Sequence, residues 1–274
     1  NDPRMPTISG MRRRGYTPMA IRNFCESIGV TRTNSMVDVA MLEHALREDL
    51  DQTSPRAMAV LRPLKIVIED YPEDKEEILS LSRHPKDETM GAREIPFQRE
   101  LYIDHNDFAE LPPPGFKRLV SGGEVRLRGA YVVKCEAVIK DAEGNITELR
   151  CSHDASTLGA KPEGRKVKGV IHWVPAKSAI DAEVRLYDRL FLNENPDAAD
   201  GDYRDFINPD AMQVIQGCKL EPSLATAQAE ERFQFEREGY FVADRVDHKS
   251  TAPVFNLTVG LRDTWGKAQS NQNK

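Results

Sequence analysis

The sequence predicts a mainly β protein that begins with an α-helical segment. Hydrophobic residues recur at helical spacing only within the first 55 or so residues, and the pattern then changes to short runs of strand-forming residues. Turn signals separate these runs, as at Gly122-Gly123 and Glu143-Gly144-Asn145. Many short strands with hairpin turns and few helices are typical of antiparallel barrels or sandwiches. The pattern alone leaves both architectures open.

Composition places the chain among ordinary soluble proteins. Its 274 residues predict two or three compact units, and 39% hydrophobic with 30% charged residues is the balance of an ordered domain. The net charge of -6 excludes a uniformly basic nucleic-acid binder, although a local basic face is compatible with it. No apolar run is long enough to span a membrane. The start, Asn1-Asp2-Pro3-Arg4, carries no initiator Met and no signal peptide, which indicates a piece of a longer polypeptide.

No motif predicts a catalytic or metal centre in this chain. The four cysteines form no C-x-x-C pair, so we expect reduced thiols of the cytoplasmic kind. The run Cys151-Ser152-His153-Asp154 lacks a second pair of ligands at usable spacing, so we expect no metal there. Nucleophile elbows, Walker loops and G-x-G-x-x-G are absent from the sequence.

Two helices account for most of the first 55 residues. Thr17 is suited to cap a helix with Pro18 in its first position, and Gly29 ends the run. A second helix is predicted over residues 35–50, with Pro55 beyond its end. Later segments with strand character are 64–69, 100–103, 116–120, 124–127, 130–139, 146–151, 167–174, 182–187, 233–242 and 254–261.

Basic residues cluster on one predicted hairpin. With Gly122-Gly123 as its turn, Lys117 faces Arg128 across the two arms, and both share one face with Arg126. Two interpretations are open, a solvated face or a nucleic-acid contact, and the pairing of like charges favours an anion between them. Phe116 and Tyr131 flank the hairpin and could stack on bases, although aromatic residues in strands usually belong to the core.

Two further basic runs have weaker implications. Arg12-Arg13-Arg14 fits an exposed basic turn as well as a phosphate contact. Arg165-Lys166-Val167-Lys168 leads into an apolar strand, where His172 beside Trp173 is expected to be a buried histidine.

Several motifs, in order along the whole chain, resemble bacterial glutaminyl-tRNA synthetase. The runs are DPRMPTISG at Asp2–Gly10, RRRGY at Arg12–Tyr16, GVIHW at Gly169–Trp173, LYDRLF at Leu186–Phe191, FQFEREGYF at Phe233–Phe241 and GLRDTW at Gly260–Trp265. The resemblance is to the C-terminal half of that family, and neither class I signature motif is present. It implies that the ATP-binding catalytic domain would lie upstream, in cis.

The resemblance also implies an architecture. Residues 1–55 would form a helical tRNA-contact subdomain, followed by two antiparallel β-barrels of the anticodon-binding type at 56–174 and 175–274. The second barrel is expected to be completed by residues near 56–65. Splayed, unstacked anticodon bases expose the edges that side chains can bind, whereas the A-form major groove is closed to them.

Matching positions then imply the residues that contact tRNA. Arg128 would bind the first anticodon base, Arg118 the third, and Arg56 with Gln234 the central one. Lys117 and Arg126 would lie nearby, and Arg32 with Asn34 would approach the tRNA inside its bend. One position departs from the family, because Gly115 stands where the family can carry Gln, so we expect no polar contact there.

The resemblance predicts the tRNA-recognition portion of a glutamine-tRNA ligase, a cytoplasmic monomer whose partner is tRNA(Gln). ATP and Mg2+ would serve the full-length enzyme, while this segment would hold no cofactor and be inactive alone. Two alternatives are an archaeal or eukaryotic-type glutamyl-tRNA synthetase C-terminal region and a free-standing RNA-binding module.

Overall fold

The fold divides into two compact units. The computed structural model describes residues 1–29, 32, 36–193 and 195–262. Unit 1 comprises Asn1–Pro55, Glu183–Ile215 and Ala227–Lys274, and unit 2 comprises Arg56–Ala182 and Gln216–Thr226. Each unit therefore combines segments that are distant in sequence. The boundaries 1–55, 56–174 and 175–274 stay a prediction.

Three helices lie in the N-terminal segment of unit 1: α1 (Ile8–Arg13), α2 (Pro18–Ile28) and α3 (Val39–Thr53). The predicted first helix is confirmed as α2, because the Thr17 hydroxyl accepts from the Ala20 N–H at 3.1 Å and Gly29 is its C-cap. The second helix runs three residues further than predicted. Its N-cap is Asp38, whose carboxylate accepts from the Ala40 N–H. Helix α1 was not predicted, since six residues are too few to show a period. No helix in the described ranges is long and apolar enough to cross a membrane.

Eighteen strands are found in the described part of the chain. In order they are β1 (Arg56–Ala57), β2 (Ala59–Val60), β3 (Pro63–Ile68), β4 (Glu77–Ser82), β5 (Ala92–Phe97), β6 (Glu100–Asp104), β7 (Phe108–Ala109), β8 (Leu119–Val120), β9 (Glu124–Leu127), β10 (Val132–Lys140), β11 (Ile146–Asp154), β12 (Val170–Ile171), β13 (Trp173–Pro175), β14 (Ile180–Tyr187), β15 (Met212–Leu220), β16 (Arg232–Phe235), β17 (Gly239–Ala243) and β18 (Val254–Gly260).

Unit 2 is organised by a barrel-like seven-stranded sheet with the order β12-β9-β10-β11-β3-β6-β13. Most pairs are antiparallel, but β11 with β3 and β12 with β9 are parallel. Aromatic rings meet edge to face in its core, with Phe97 5.3 Å from Trp173 and 5.0 Å from Tyr131 between ring centroids. His172 is fully buried, as predicted. Such a core gives the surface strands a rigid support.

Unit 1 packs its helices against a second group of strands. Strands β16, β17 and β18 pair antiparallel in that order, and Glu183–Arg185 of β14 runs parallel to Val254–Asn256 of β18. Tyr16, Ala20, Leu46 and Leu50 form a core with Tyr240 and Val259. The mainly β prediction with an N-terminal helical part is thereby confirmed. The predicted strand 233–242 is in fact a hairpin, because β16 and β17 are separated by a turn at residues 236–238.

Candidate nucleic-acid interface

The predicted hairpin around Gly122-Gly123 is only partly right. A tight turn does form, in which the Gly123 N–H donates to the Val120 carbonyl at 2.9 Å. The two arms do not pair, however, because β9 is flanked by β10 and β12 within the described residues. The predicted opposition of Lys117 and Arg128 is therefore wrong. Strand β12 occupies that edge of β9 and removes an unfavourable pairing of like charges.

Lys117 instead approaches the segment that enters β12. Gly169 has φ +91°, and a Cβ atom there would lie 1.8 Å from the Lys117 carbonyl oxygen. Only glycine permits this close approach of the two backbones. The Lys117 side chain is exposed. Lys117 thus adjoins β12 by its backbone and offers its cation to solvent.

Arg128 projects from a rigid turn between β9 and β10. Its N–H donates to the Ile171 carbonyl at 2.8 Å, and its carbonyl accepts from the indole Nε1–H of buried Trp173 at 3.0 Å. The next residue, Gly129, has φ +65°, and a Cβ atom there would lie 2.1 Å from Leu81 Cδ2. The backbone is therefore held from both sides, while the side chain of Arg128 is exposed. Such a rigid position lowers the entropy lost when a partner binds.

Arg126 is engaged by the protein itself. Its guanidinium donates to the carbonyls of Ala130, Thr157 and Ala160 at 3.1, 2.8 and 2.5 Å. These bonds join the turn that carries Arg128 to the loop after β11. Hydrogen bonds from a charged group are among the stronger ones in proteins. The contacts favour a positioning role for Arg126 over direct contact with a base.

Arg118 is oriented by an acidic and an aromatic neighbour. Its Nη1 donates to the Asn106 carbonyl at 2.7 Å, its Nε lies 3.2 Å from Oδ1 of buried Asp107, and its Cζ lies 5.8 Å from the ring centroid of Phe116. The side chain is still 43% exposed. These contacts restrict the guanidinium without covering it.

The two flanking aromatic residues have different positions. Phe116 is half-buried beside Arg118. Tyr131 is only 4% exposed, and its hydroxyl donates to the Glu77 carboxylate at 2.8 Å. Burial and this bond raise the pKa of Tyr131 to about 12. Base stacking by Tyr131 is therefore excluded, and it belongs to the core.

Gln234 lies in β16, where its backbone N–H donates to the Pro55 carbonyl at 2.9 Å. Its side-chain Oε1 is inaccessible to solvent and has no hydrogen-bond partner in the described part of the protein. A desolvated acceptor without a donor is unfavourable, so it is suited to meet a donor from a ligand. The adjacent turn contains the exposed Arg237 at φ +70°, a conformation that non-glycine residues rarely adopt.

The remaining predicted contact residues are dispersed. Arg56 belongs to unit 2 and is only 9% exposed, and its N–H donates to the Arg83 carbonyl at 2.6 Å. Its meeting with Gln234 at one base stays a prediction. Arg32 is exposed, and Asn34 lies outside the described residues.

Three arginines of the other basic runs pair with carboxylates. Arg12 pairs with Glu230 at 2.8 Å, and Arg13 pairs with Asp244 and Asp247, each at 2.9 Å. Arg165 bridges Glu124 and Asp154. His153 of the rejected metal motif contacts Asp70, and no cluster of three metal-ligating side chains occurs among the residues described.

Sequence reasoning missed three residues that organise this surface. Asp107 orients Arg118, Trp173 holds the Arg128 carbonyl, and Gly169 admits the Lys117 backbone. Only Gly169 carried a local signal, as a glycine between a basic run and an apolar strand. The other two act across 11 and 45 residues of sequence, which no local pattern encodes.

Exposed cations on the rigidly held backbone of unit 2 are suited to contact the phosphates and base edges of an RNA loop. Two regions match a family described as "tRNA synthetases class I (E and Q), anti-codon binding domain", at residues 54–154 and 170–244. Together they cover more than half of the chain. The chain therefore belongs to the family of anticodon-binding domains of class I (E and Q) tRNA synthetases.

The similar proteins are glutamine--tRNA ligases. The chain is 62% identical over 269 residues to that of Stutzerimonas stutzeri (strain A1501), which covers 97% of this chain and 48% of the relative. It is 63% identical over 268 residues to that of Pseudomonas putida, covering 97% and 47% respectively. The Azotobacter vinelandii ligase is 60% identical over 269 residues, with 97% and 48% coverage. The chain thus spans about half the length of the curated relatives it matches.

Proposed function

We propose that this chain is the tRNA-recognition portion of a glutamine-tRNA ligase and that it binds the anticodon of tRNA(Gln). The observation that carries the proposal is the unit 2 surface, where Lys117, Arg118 and Arg128 are exposed on rigidly held backbone. The high identity to glutamine--tRNA ligases supports glutamine over glutamate as the amino acid.

The complete enzyme would esterify glutamine to tRNA with ATP and Mg2+, which would bind in a catalytic domain in cis. This chain would supply recognition and orientation, and it would be inactive by itself. We further propose a monomer that works in the cytoplasm, with the helical subdomain at 1–55 and the two barrels at 56–174 and 175–274.

Each anticodon base would have its own contact. Arg128 would bind the first base, because its exposed side chain projects from a fixed backbone turn. Arg118 would bind the third base with the donors left over from Asp107 and Asn106. The Oε1 atom of Gln234 would accept a hydrogen bond from the central base, and the Arg56 guanidinium would donate to the same base. Arg32 and Asn34 would approach the tRNA inside its bend.

The test is equilibrium binding of the chain to tRNA(Gln), to the same tRNA with one anticodon base changed at a time, and to tRNA(Glu). Each wrong base should cost about 1–3 kcal/mol of binding free energy, by analogy with base contacts in DNA. Equal affinity for all these tRNAs would contradict anticodon recognition. Tighter binding of tRNA(Glu) would favour the glutamyl alternative.

A separate assay addresses the expected inactivity. The purified chain should catalyse no glutamine-dependent pyrophosphate exchange, because we assign ATP binding to the catalytic domain. Turnover that co-purifies with this chain and survives repeated purification would contradict the assignment.

A further inference from the structure

Unit 1 contains a small arginine-lined pocket whose lining does not include Gln234. Its volume is about 140 Å³, and residues from four separate stretches of sequence line it. Four of them are arginines and two are acids: Arg14, Arg47, Arg189, Arg262, Glu43 and Asp188. The excess of two positive charges in so small a space is suited to an anion.

Glu43 holds two of these arginines in place. Its carboxylate contacts Arg189 at 2.8 Å and Arg47 at 3.2 Å, and its side chain is 11% exposed. Arg47 also donates from Nε to the Gly260 carbonyl at 2.8 Å. One carboxylate thus lies between two guanidinium groups, so these three side chains carry a net charge of about +1.

Among the described residues, no carboxylate pairs with the other two arginines, Arg14 and Arg262. Arg14 places its guanidinium carbon 5.4 Å from the ring centroid of Tyr187, and its buried Nε has no hydrogen-bond acceptor among the residues the structure describes. Arg262 is exposed two residues beyond the end of β18. A desolvated donor beside a positively charged pocket points to a ligand that supplies the acceptor.

The two arginines that precede Arg14 in the sequence form ion pairs. Arg12 and Arg13 are matched by Glu230, Asp244 and Asp247. Arg14 differs from both because its guanidinium turns to an aromatic ring in the pocket wall. A guanidinium group can donate two parallel hydrogen bonds to two oxygens of a phosphate. Several guanidinium groups around one pocket favour phosphate over a carboxylate, because phosphate offers more acceptor oxygens.

We propose that this pocket binds a phosphate group of the RNA backbone, held by Arg14, Arg47, Arg189 and Arg262. The proposal rests on the proposed function, since it adds a second contact point for the same tRNA. A backbone phosphate carries no sequence information, so the pocket would orient the RNA without selecting its anticodon. Inorganic phosphate presents the same oxygens as a backbone phosphate. Comparing it with tRNA(Gln) therefore shows whether the pocket binds RNA or only free phosphate.

The first experiment compares Arg14→Gln and Arg262→Gln with Arg204→Gln, a matched control in which an exposed arginine of the same unit pairs with Asp202. Each pocket variant should bind tRNA(Gln) about three- to tenfold more weakly near 0.1 M salt and lower the slope of log affinity against log salt by about 0.7. The loss should be equal for every anticodon variant. The control should bind like the wild type. A pocket variant that also matches the wild type in affinity and slope would overturn the proposal.

The second experiment uses inorganic phosphate and the Nε–H signals of 15N-labelled arginine. Phosphate should shift the Arg14 signal of the wild type, and tRNA(Gln) should shift the same signal at far lower concentration. A shift by phosphate without any effect of the pocket variants on tRNA binding would overturn RNA as the source.

The phosphate titration also distinguishes failure of the pocket proposal from failure of the proposed function. If the chain bound no tRNA at all, the proposed function would fail, and a phosphate-induced shift would still support phosphate binding. The absence of a phosphate shift would overturn the pocket even if tRNA binding were normal. Thermal unfolding of each variant shows whether it is folded.

Discussion

Two arginine-rich stretches of this chain look alike in sequence and differ in structure. In the first, Arg13 lies between two acids and forms a two-pronged pair with Asp244, whose side chain is fully buried. In the second, Arg126 donates to three backbone carbonyls and Arg128 remains exposed. Clustering of basic residues therefore does not identify an RNA surface. The partners that the fold supplies to each cation decide its role.

The largest effect is expected in the first stretch. Arg13→Met should lower the free energy of unfolding by about 3–5 kcal/mol, because it leaves the Asp244 carboxylate buried without its main partner. Urea denaturation measures this loss. The matched change Arg12→Ala should cost less than about 1 kcal/mol, since the Arg12–Glu230 pair is exposed to solvent. Equal losses of unfolding free energy in Arg13→Met and Arg12→Ala would show that burial of an ion pair does not determine its contribution to stability.

The buried Arg13–Asp244 pair should make the free energy of unfolding depend on pH. Burial alone would raise the pKa of Asp244, but hydrogen bonds from Arg13 and from backbone N–H groups outweigh it and lower the pKa from 3.8 to about 2. A lowered pKa in the folded state adds stability above pH 4 that is lost as the pH falls towards 2. The loss should be about 2 kcal/mol.

Unfolding free energies between pH 5 and pH 2 test this dependence. Asp244→Asn serves as the comparison, because the amide does not titrate in this range. The variant should be less stable at pH 5 and should show a shallower dependence on pH. Parallel curves for the wild type and the variant would assign the acid sensitivity to other groups.

In the second stretch, Arg128→Ala should cost about 1–3 kcal/mol of binding to the cognate tRNA and little once the first anticodon base is already wrong. Its melting temperature should stay close to that of the wild type, since the side chain is exposed and the backbone bonds that hold this turn do not depend on it. Arg126→Ala should lower both binding and stability because it releases three carbonyls. A loss of affinity by Arg128→Ala that ignores the first base would assign this residue to phosphate anchoring.

The smallest effect is expected at Lys117, an exposed cation beside β12. Lys117→Ala should weaken every anticodon variant alike and reduce the salt slope by about 0.7–0.9, the value of one phosphate contact. Binding isotherms at several salt concentrations measure the slope. An effect that changes with one anticodon base would instead place Lys117 among the base contacts.

Local elements could be predicted because their signals are short-range. The Thr17 cap, Pro18 and the C-cap Gly29 define α2, and strand β9 has the predicted bounds. Strands β4 and β15 were missed because exposed residues interrupt their apolar pattern, and β5 was missed because its buried face carries Arg93. The residues of the candidate site were predicted largely from the resemblance of the whole chain to a family. That resemblance names the residues but not their hydrogen-bond and ion-pair partners within the fold.

The sequence by itself determined the family, the mainly β class and the identity of the basic residues, because motifs, capping and alternation are written in neighbouring positions. Only the tertiary structure decided which cations are exposed. Strand β12 enters beside β9 and separates Lys117 from Arg128, and distant carbonyls occupy Arg126. These contacts join residues far apart in the chain, so their energies depend on packing that no local pattern contains.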